Sequence, residues 1–532
     1  MKIEKILIED QMAPIGLDEK KPAFSWLLTA EEGEQNLMQS ACRIVVRTGE
    51  DTVWDSGKME TGVSTGIGYE GEALQPCTKY EVKAEVWDNH GGKAEAESSF
   101  ETGLMDSLYA AWEGAEWIGA PHATVCAENR GVFTIESEFR MEGGKGEAGI
   151  VFGANDFRLN DHTKNELGME GENYIRYAVC LEDGDARLEI YRVGYAPEDT
   201  AEKPFAVTKL VNWKEKTQEI LTPENADAFH KLTVEVDGNV AYAYVDGILV
   251  DAIEEHGFFG TKVSGRQLNP RGNNDVLPYP RLNEIGFYAG KGTTGYFKNL
   301  TVRNVRKPSA EIVRETPEGR LDGGKSIFAD QIPVENGYFK VEDSQITADP
   351  SHHSIPMLRS CISCQKEKKL ASARLYITAR GIYDCRINGQ EITEDLLRPG
   401  LTQYDHRMNY QTYDITGLMK PGRNGIGVTL ASGWWSEAQT FVVKNFNYFG
   451  DKESLLAKVV MKYEDGSREI FGTNAEDWKY FGEGPYLFSS YFAGEQYDAR
   501  RAEVYETYSL PEFDDSTWEK PVVVDTVMIE EF

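Results

Sequence analysis

Apolar and polar residues alternate at period two along most of the chain, which predicts β-strands that bury one face. In the first 105 residues the runs PAFSWLL, ACRIVVRT, TVWDSGKM and KYEVKAEVWD follow this pattern, separated by Gly, Asp and Pro. The DNHGG step at 88–92 supplies Asn and Gly for a hairpin turn. Roughly seven such runs in about 100 residues predict an immunoglobulin-like sandwich over 1–105. Residues 106–120 read as a linker, whose Trp112 and Trp117 either staple neighbouring domains or stack on a ligand. A second all-β region covers 121–307. Within it VEVDGNVAYAYVDGILVD is a hairpin of alternating Val and Tyr around Asp237-Gly238, with a further turn at Asp246-Gly247. Residues 308–322 are charged and contain Pro308 and Pro317, which marks a boundary before a third strand-rich region at 323–532. No helical periodicity runs beyond about three turns, and no repeat of roughly 20–50 residues stands out. The predicted fold class is all-β, with three consecutive β-sandwich domains.

A chain of 532 residues exceeds what one core can hold, in keeping with that division. Its 56 Lys and Arg against 88 Asp and Glu leave a formal charge of -32. Such a surface repels phosphate backbones and anionic lipid, so neither nucleic acid nor a membrane is expected as a partner. Neutral sugars are not repelled. The N-terminal MKIEKILIEDQMAPIG carries Lys2, Glu4, Lys5, Glu9 and Asp10 and lacks an apolar stretch, so a cytoplasmic location without a signal peptide is expected. No run of about eighteen apolar residues occurs. The seven cysteines read as reduced thiols.

Few motifs carry chemistry. LRPGLTQYDHRMNYQTYDITGL, residues 397–418, gathers Arg398, Asp405, His406, Arg407 and Asp414 among aromatic residues. It reads as scaffold, with Arg407 pairing Asp405 or Asp414 to fix a loop, or as a stretch in direct contact with sugar. CISC at 361–364 has CxxC spacing without a second pair, so zinc or redox duty competes with a plain strand. His352-His353 reads as a solvated pair. Of Trp434 and Trp435, one is expected in the core, leaving the other to face a sugar. The Asx residues Asn155, Asp156, Asn160 and Asp161, with Asn273, Asn274 and Asp275, suit either turns or Ca²⁺, which takes oxygen ligands. Glu136 and Glu138 share a strand face, as paired carboxylates or as solvated edge residues. There is no GxGxxG, Walker loop, HExxH or GxSxG.

Three blocks in the third region resemble the N-terminal accessory domain of bacterial α-L-rhamnosidases. They are ARLYITARGIYDCRINGQEI at 373–392, LRPGLTQYDHRMNYQTYDITGLMKPGRNGIGVTLASGWW at 397–435, and YFAGEQYDARRAE at 491–503. The first region resembles a fibronectin type III domain, and the second resembles a concanavalin-like (laminin-G-like) jelly roll of the carbohydrate-binding kind. The resemblance implies that Glu495, Asp498, Arg500 and Arg407 face a catalytic domain. It implies carbohydrate contacts at Asn155, Asp156, Asn173, Tyr174, Asn274 and Trp434, with calcium held at Asn155 and Asp156. In the family a Trp follows that Asp/Asn pair; here Arg176 or Tyr177 replaces it. Members of the family invert configuration with two carboxylic acids about 6.5–9.5 Å apart in an α/α toroid. No long helical series of that kind is read in this sequence. The chain is therefore expected to recognise rhamnose-containing oligosaccharides or glycosides and to support a catalytic domain it does not contain, being inactive alone. A free-standing carbohydrate-binding protein and a jelly-roll glycosidase working through carboxylates such as Glu136 and Glu138 are the alternatives.

Overall fold

The computed structural model describes residues 1–121, 132–155, 173–182, 185–195, 199–208, 221, 224–237, 240–250, 263–264, 282–304, 307–321, 324–350, 354–436, 449–450, 452–491 and 494–524. Among these the chain is almost entirely β, with α-helix confined to the short turns Gly433–Ser436 and Ala502–Thr507. No α/α toroid is present among the described residues.

The first domain is a three-plus-four sandwich. Lys2–Ile8, Ala23–Thr29 and Ile67–Gly68 form one sheet, and Asp51–Asp55, Gln39–Thr48, Lys79–Asp88 and Lys93–Glu101 the other. The period-two pattern is why it closes: Tyr80, Val82, Ala84 and Val86 point inward against Trp26, Ile44 and Phe100. At the DNHGG turn the carboxylate of Asp88 accepts the amides of His90 and Gly92 at 2.9 and 2.7 Å. Gly91 takes the positive φ of 83° that the turn demands.

The jelly roll packs two sheets face to face. Gly146–Ala154, Tyr174–Glu182, Asp185–Val193 and Glu284–Ala289 build one, and Val132–Met141, His230–Asp237, Val240–Val245 and Thr294–Phe297 the other. Ile150, Phe152, Tyr177 and Ile190 meet Phe133, Ile135, Val234 and Phe297 between them. The boundary expected at 308–322 is corrected here. Lys307–Thr316 is a strand paired with Leu300–Asn304. Further on, Tyr338–Glu342 and Gln345–Ala348 pair with Thr294–Phe297 and Glu284–Ala289. Pro308 sits near the start of its strand, where a lost ladder donor is tolerated.

The third sandwich stacks the sheet Gln390–Glu391, Ile382–Ile387, Gly422–Ala431, Met357–Cys364 and Lys479–Phe481 on one led by Leu370–Arg380 and Ser454–Tyr463. The segment read as a linker contributes to it directly. Ile118–Gly119 pairs with Ser454–Tyr463 and with Val522–Val523. The jelly roll is thus an insertion between Gly119 and Met357.

Trp112 and Trp117 are fully buried and join the first domain to the third. They share a core with Cys77 and Leu104 on one side and Tyr376, Tyr404, Met408 and Leu456 on the other. Charge fixes the same junction. Arg374 holds both oxygens of Glu101, at 2.5 and 2.7 Å, and pairs with Asp414 at 2.6 Å. Its side chain is 12% exposed and that of Glu101 is 15%. Tyr410 donates to Asp18 at 2.5 Å and accepts the Leu104 amide at 2.8 Å. The almost fully buried Lys458 donates to the Ala111 carbonyl and to Glu113 at 2.6 and 2.7 Å. The stretch 397–418 is therefore largely scaffold at this junction. The expected Arg407 pairing is corrected, since Asp414 is taken by Arg374 and Arg407 is exposed, with no ion pair among the described residues.

Removing Arg374 strands the largely buried carboxylate of Glu101 and frees the exposed one of Asp414. Arg374→Ala is expected to lower stability by about 3 kcal/mol, read as a lower urea midpoint. Arg43→Ala, which breaks the half-exposed pair with Asp55 inside the first domain, is expected to cost much less. Equal losses would remove the junction from its structural role.

Candidate carbohydrate-binding sites

At the jelly-roll rim, Asn155 adopts φ 51°, a left-handed conformation that Asn tolerates. Its carboxamide donates to Glu284 at 2.8 Å, and Glu284 also accepts Thr347 at 2.7 Å. Asn173 is fully buried, and its side chain donates to the Gly153 carbonyl at 2.9 Å. Tyr174 is buried beside Val151, Ala154 and Val193. Asn155, Asn173 and Tyr174 thus converge on one strand end. Asp156, Asn160, Asp161, Asn273, Asn274, Asp275 and the His352-His353 pair lie outside the described residues, so the expected calcium site is represented only by Asn155.

Below this rim, on the sheet face turned away from the core, sits a cluster not singled out from the sequence. Strand alternation places Arg176 there and sends Tyr177 inward. The Arg176 guanidinium lies over the rings of Tyr288 and Tyr191, 3.9 and 4.7 Å from their centroids. Glu147 stands 3.9 Å from Arg176 and accepts the Tyr288 hydroxyl at 3.1 Å, while Tyr191 donates to Glu189 at 2.6 Å. Burial pushes the Glu147 carboxyl above its ordinary value, a shift that Arg176 only partly opposes. The signal for this cluster was the polar half of each alternating strand, legible as solvent-facing and not as a joint array across four strands.

Glu136 and Glu138 do share a face, but each is neutralised: Glu136 pairs with Lys231 at 2.6 Å and Glu138 with Lys298 at 2.6 Å.

In the third domain a cleft of about 500 Å³ opens between the outer face of Ile382–Ile387 and the hairpin Tyr486–Ser490 with Gly494–Tyr497. Tyr486, Tyr491, Tyr505, Asp384 and Glu495 line it, with Leu396 and Leu397 at the edge. Asp384 is fixed by Arg398 at 2.9 Å and by the Tyr505 hydroxyl at 3.1 Å. Trp434 stands behind the cleft, its ring 4.5 Å from that of Tyr491. Trp435 is the core member of the pair. Glu495 is exposed and accepts Ser489 at 3.2 Å. Asp498 caps the following turn, accepting the Arg500 amide at 3.1 Å. Its carboxyl is held down at about 2, mainly by the Arg500 guanidinium. Glu495 therefore lies on the hairpin, Asp498 and Arg500 on the turn that follows it, while Arg407 lies on a separate loop. The CISC segment is an ordinary strand, with Cys364 buried and Cys361 partly so.

A multi-domain β-sandwich protein whose last domain presents a tyrosine-lined cleft is the class this geometry defines. Residues 3–106 match the Rha78A-like N-terminal immunoglobulin domain, and residues 368–530 match the alpha-L-rhamnosidase N-terminal domain. The chain carries the N-terminal, non-catalytic region of the alpha-L-rhamnosidase family. It is 27% identical over 523 residues to an alpha-L-rhamnosidase of Streptomyces avermitilis, across 96% of this chain and 44% of that protein. An alpha-L-rhamnosidase of Alteromonas sp. is 34% identical over 183 residues, 33% of this chain and 19% of that one. The crystal structure of the Streptomyces avermitilis alpha-L-rhamnosidase complexed with L-rhamnose superposes with TM-score 0.54 at 20% identity, covering all of this chain and 46% of that one. The chain spans less than half the length of these relatives.

A carboxyl raised by burial stabilises the fold fully below its ordinary pKa and loses that contribution as pH rises through the folded value. Glu147→Gln, which cannot ionise, is therefore expected to match the parent in melting temperature near pH 4 and to exceed it increasingly towards pH 7. A pH-independent difference would show that Glu147 ionises without cost.

Proposed function

We propose that this chain is the recognition and support part of a glycoside hydrolase system. It would position rhamnose-containing oligosaccharides or glycosides for a catalytic domain, not contained in this chain, that hydrolyses terminal α-L-rhamnosides. The observation that carries this reading is the alignment of 96% of the chain with 44% of an alpha-L-rhamnosidase. Glu136 and Glu138 are each engaged by a lysine, as expected of solvated strand residues. The acidic surface favours a neutral ligand and supports the expectation that nucleic acid and membrane are not partners.

The test pairs turnover with binding. Purified chain is expected to leave p-nitrophenyl α-L-rhamnoside intact, while L-rhamnose raises its thermal stability by about 1.4 kcal/mol at tenfold Kd. Release of nitrophenol, or an unchanged melting curve at saturating sugar, would overturn the reading.

A further inference from the structure

The cleft of the third domain is not explained by the packing of that domain. Tyr486, Tyr491 and Tyr505 give it aromatic walls, yet two carboxylates, Asp384 and Glu495, open into it. A hydrophobic gap has no use for those carboxylates, and an anion would be repelled by them. A sugar ring matches both features, since its C–H face packs on aromatic rings and its hydroxyls need fixed acceptors. Asp384 is pre-set for this: Arg398 and Tyr505 each take one oxygen, which leaves acceptor positions on both. The hydroxyl of Tyr491 is buried without a hydrogen-bond partner among the described residues. A buried hydroxyl left unpaired is costly, and a ligand hydroxyl would satisfy it. At about 500 Å³ the cleft lies within the range of small-molecule sites. At its mouth Leu396 is 83% exposed and Leu397 50%, an apolar edge suited to the methyl group of a 6-deoxy sugar.

We propose that this cleft binds one neutral monosaccharide unit, stacked on the tyrosines and held through its hydroxyls by Asp384 and Glu495. The 6-deoxy preference rests on the reading under Proposed function; the cleft itself does not. This site lies in the last sandwich, apart from the jelly-roll rim.

The test titrates the whole chain with L-rhamnose and with D-mannose by calorimetry, in excess chelator to silence any calcium-dependent site. Tyr491→Phe and Glu495→Gln are the variants, since the first keeps the ring against Trp434 and the second alters an exposed residue. Saturable, chelator-resistant binding is expected, weakened about tenfold by Glu495→Gln and also weakened by Tyr491→Phe. Binding of D-mannose alone with the same sensitivity would uphold the cleft and refute the rhamnose reading. Absence of chelator-resistant binding, or binding indifferent to both variants, would overturn the proposal. A purely chelator-sensitive response to L-rhamnose would do the same while leaving Proposed function intact.

Discussion

The buried contact between Arg374 and Glu101 is the constraint on which the rest of the structure depends. It joins residues 273 positions apart and locks the first sandwich onto the third. Neither group has a low-cost alternative, because either charge left alone in that half-buried setting would have to shed its ionisation or rebuild its hydration. The tryptophans of the intervening segment add the apolar part of the same junction, and Ile118–Gly119 then enters the third sandwich as a strand. With its entry strand tied down, the third domain can accept a jelly roll of more than 200 residues as an insertion without losing its own register.

That frame sets where the two candidate sites lie. The jelly-roll rim gathers Asn155, Asn173 and Tyr174, and the third domain offers a tyrosine-walled cleft with two carboxylates. At the rim these side chains are buried or bonded within the protein, whereas the cleft stands open, on a chain of charge -32 that discourages anionic ligands. The hairpin carrying Glu495 runs straight into the turn that carries Asp498 and Arg500, so the surface proposed to face a catalytic domain adjoins the cleft.

The β character, the three sandwiches and the family were legible in the sequence, because period-two alternation is local and the three motif blocks keep their order. What was not legible depends on pairing at a distance. Lys307–Thr316 reads as a charged, proline-bearing break, yet becomes a strand because Leu300–Asn304 presents it a free edge. The sequence offers Asp405 or Asp414 as a partner for Arg407, but Arg374 reaches Asp414 from the neighbouring strand and Arg407 makes no ion pair among the described residues. Arg176 was noticed only as a departure from the family pattern. Its placement between Tyr191 and Tyr288 follows from the register of four adjacent strands, which no local pattern encodes. Asp384 went unremarked inside a recognised block, since it becomes part of a site only once Arg398 and Tyr505 fold against it.

The central claim is that this chain recognises rhamnose-bearing glycans without cleaving them. Native affinity electrophoresis tests it most directly, as the strongly acidic chain migrates readily and any retardation reports binding alone. The account predicts slower migration through a gel containing a rhamnose-bearing polysaccharide than through one containing an uncharged glucan, with free L-rhamnose restoring the mobility. Equal mobility in both gels would contradict it.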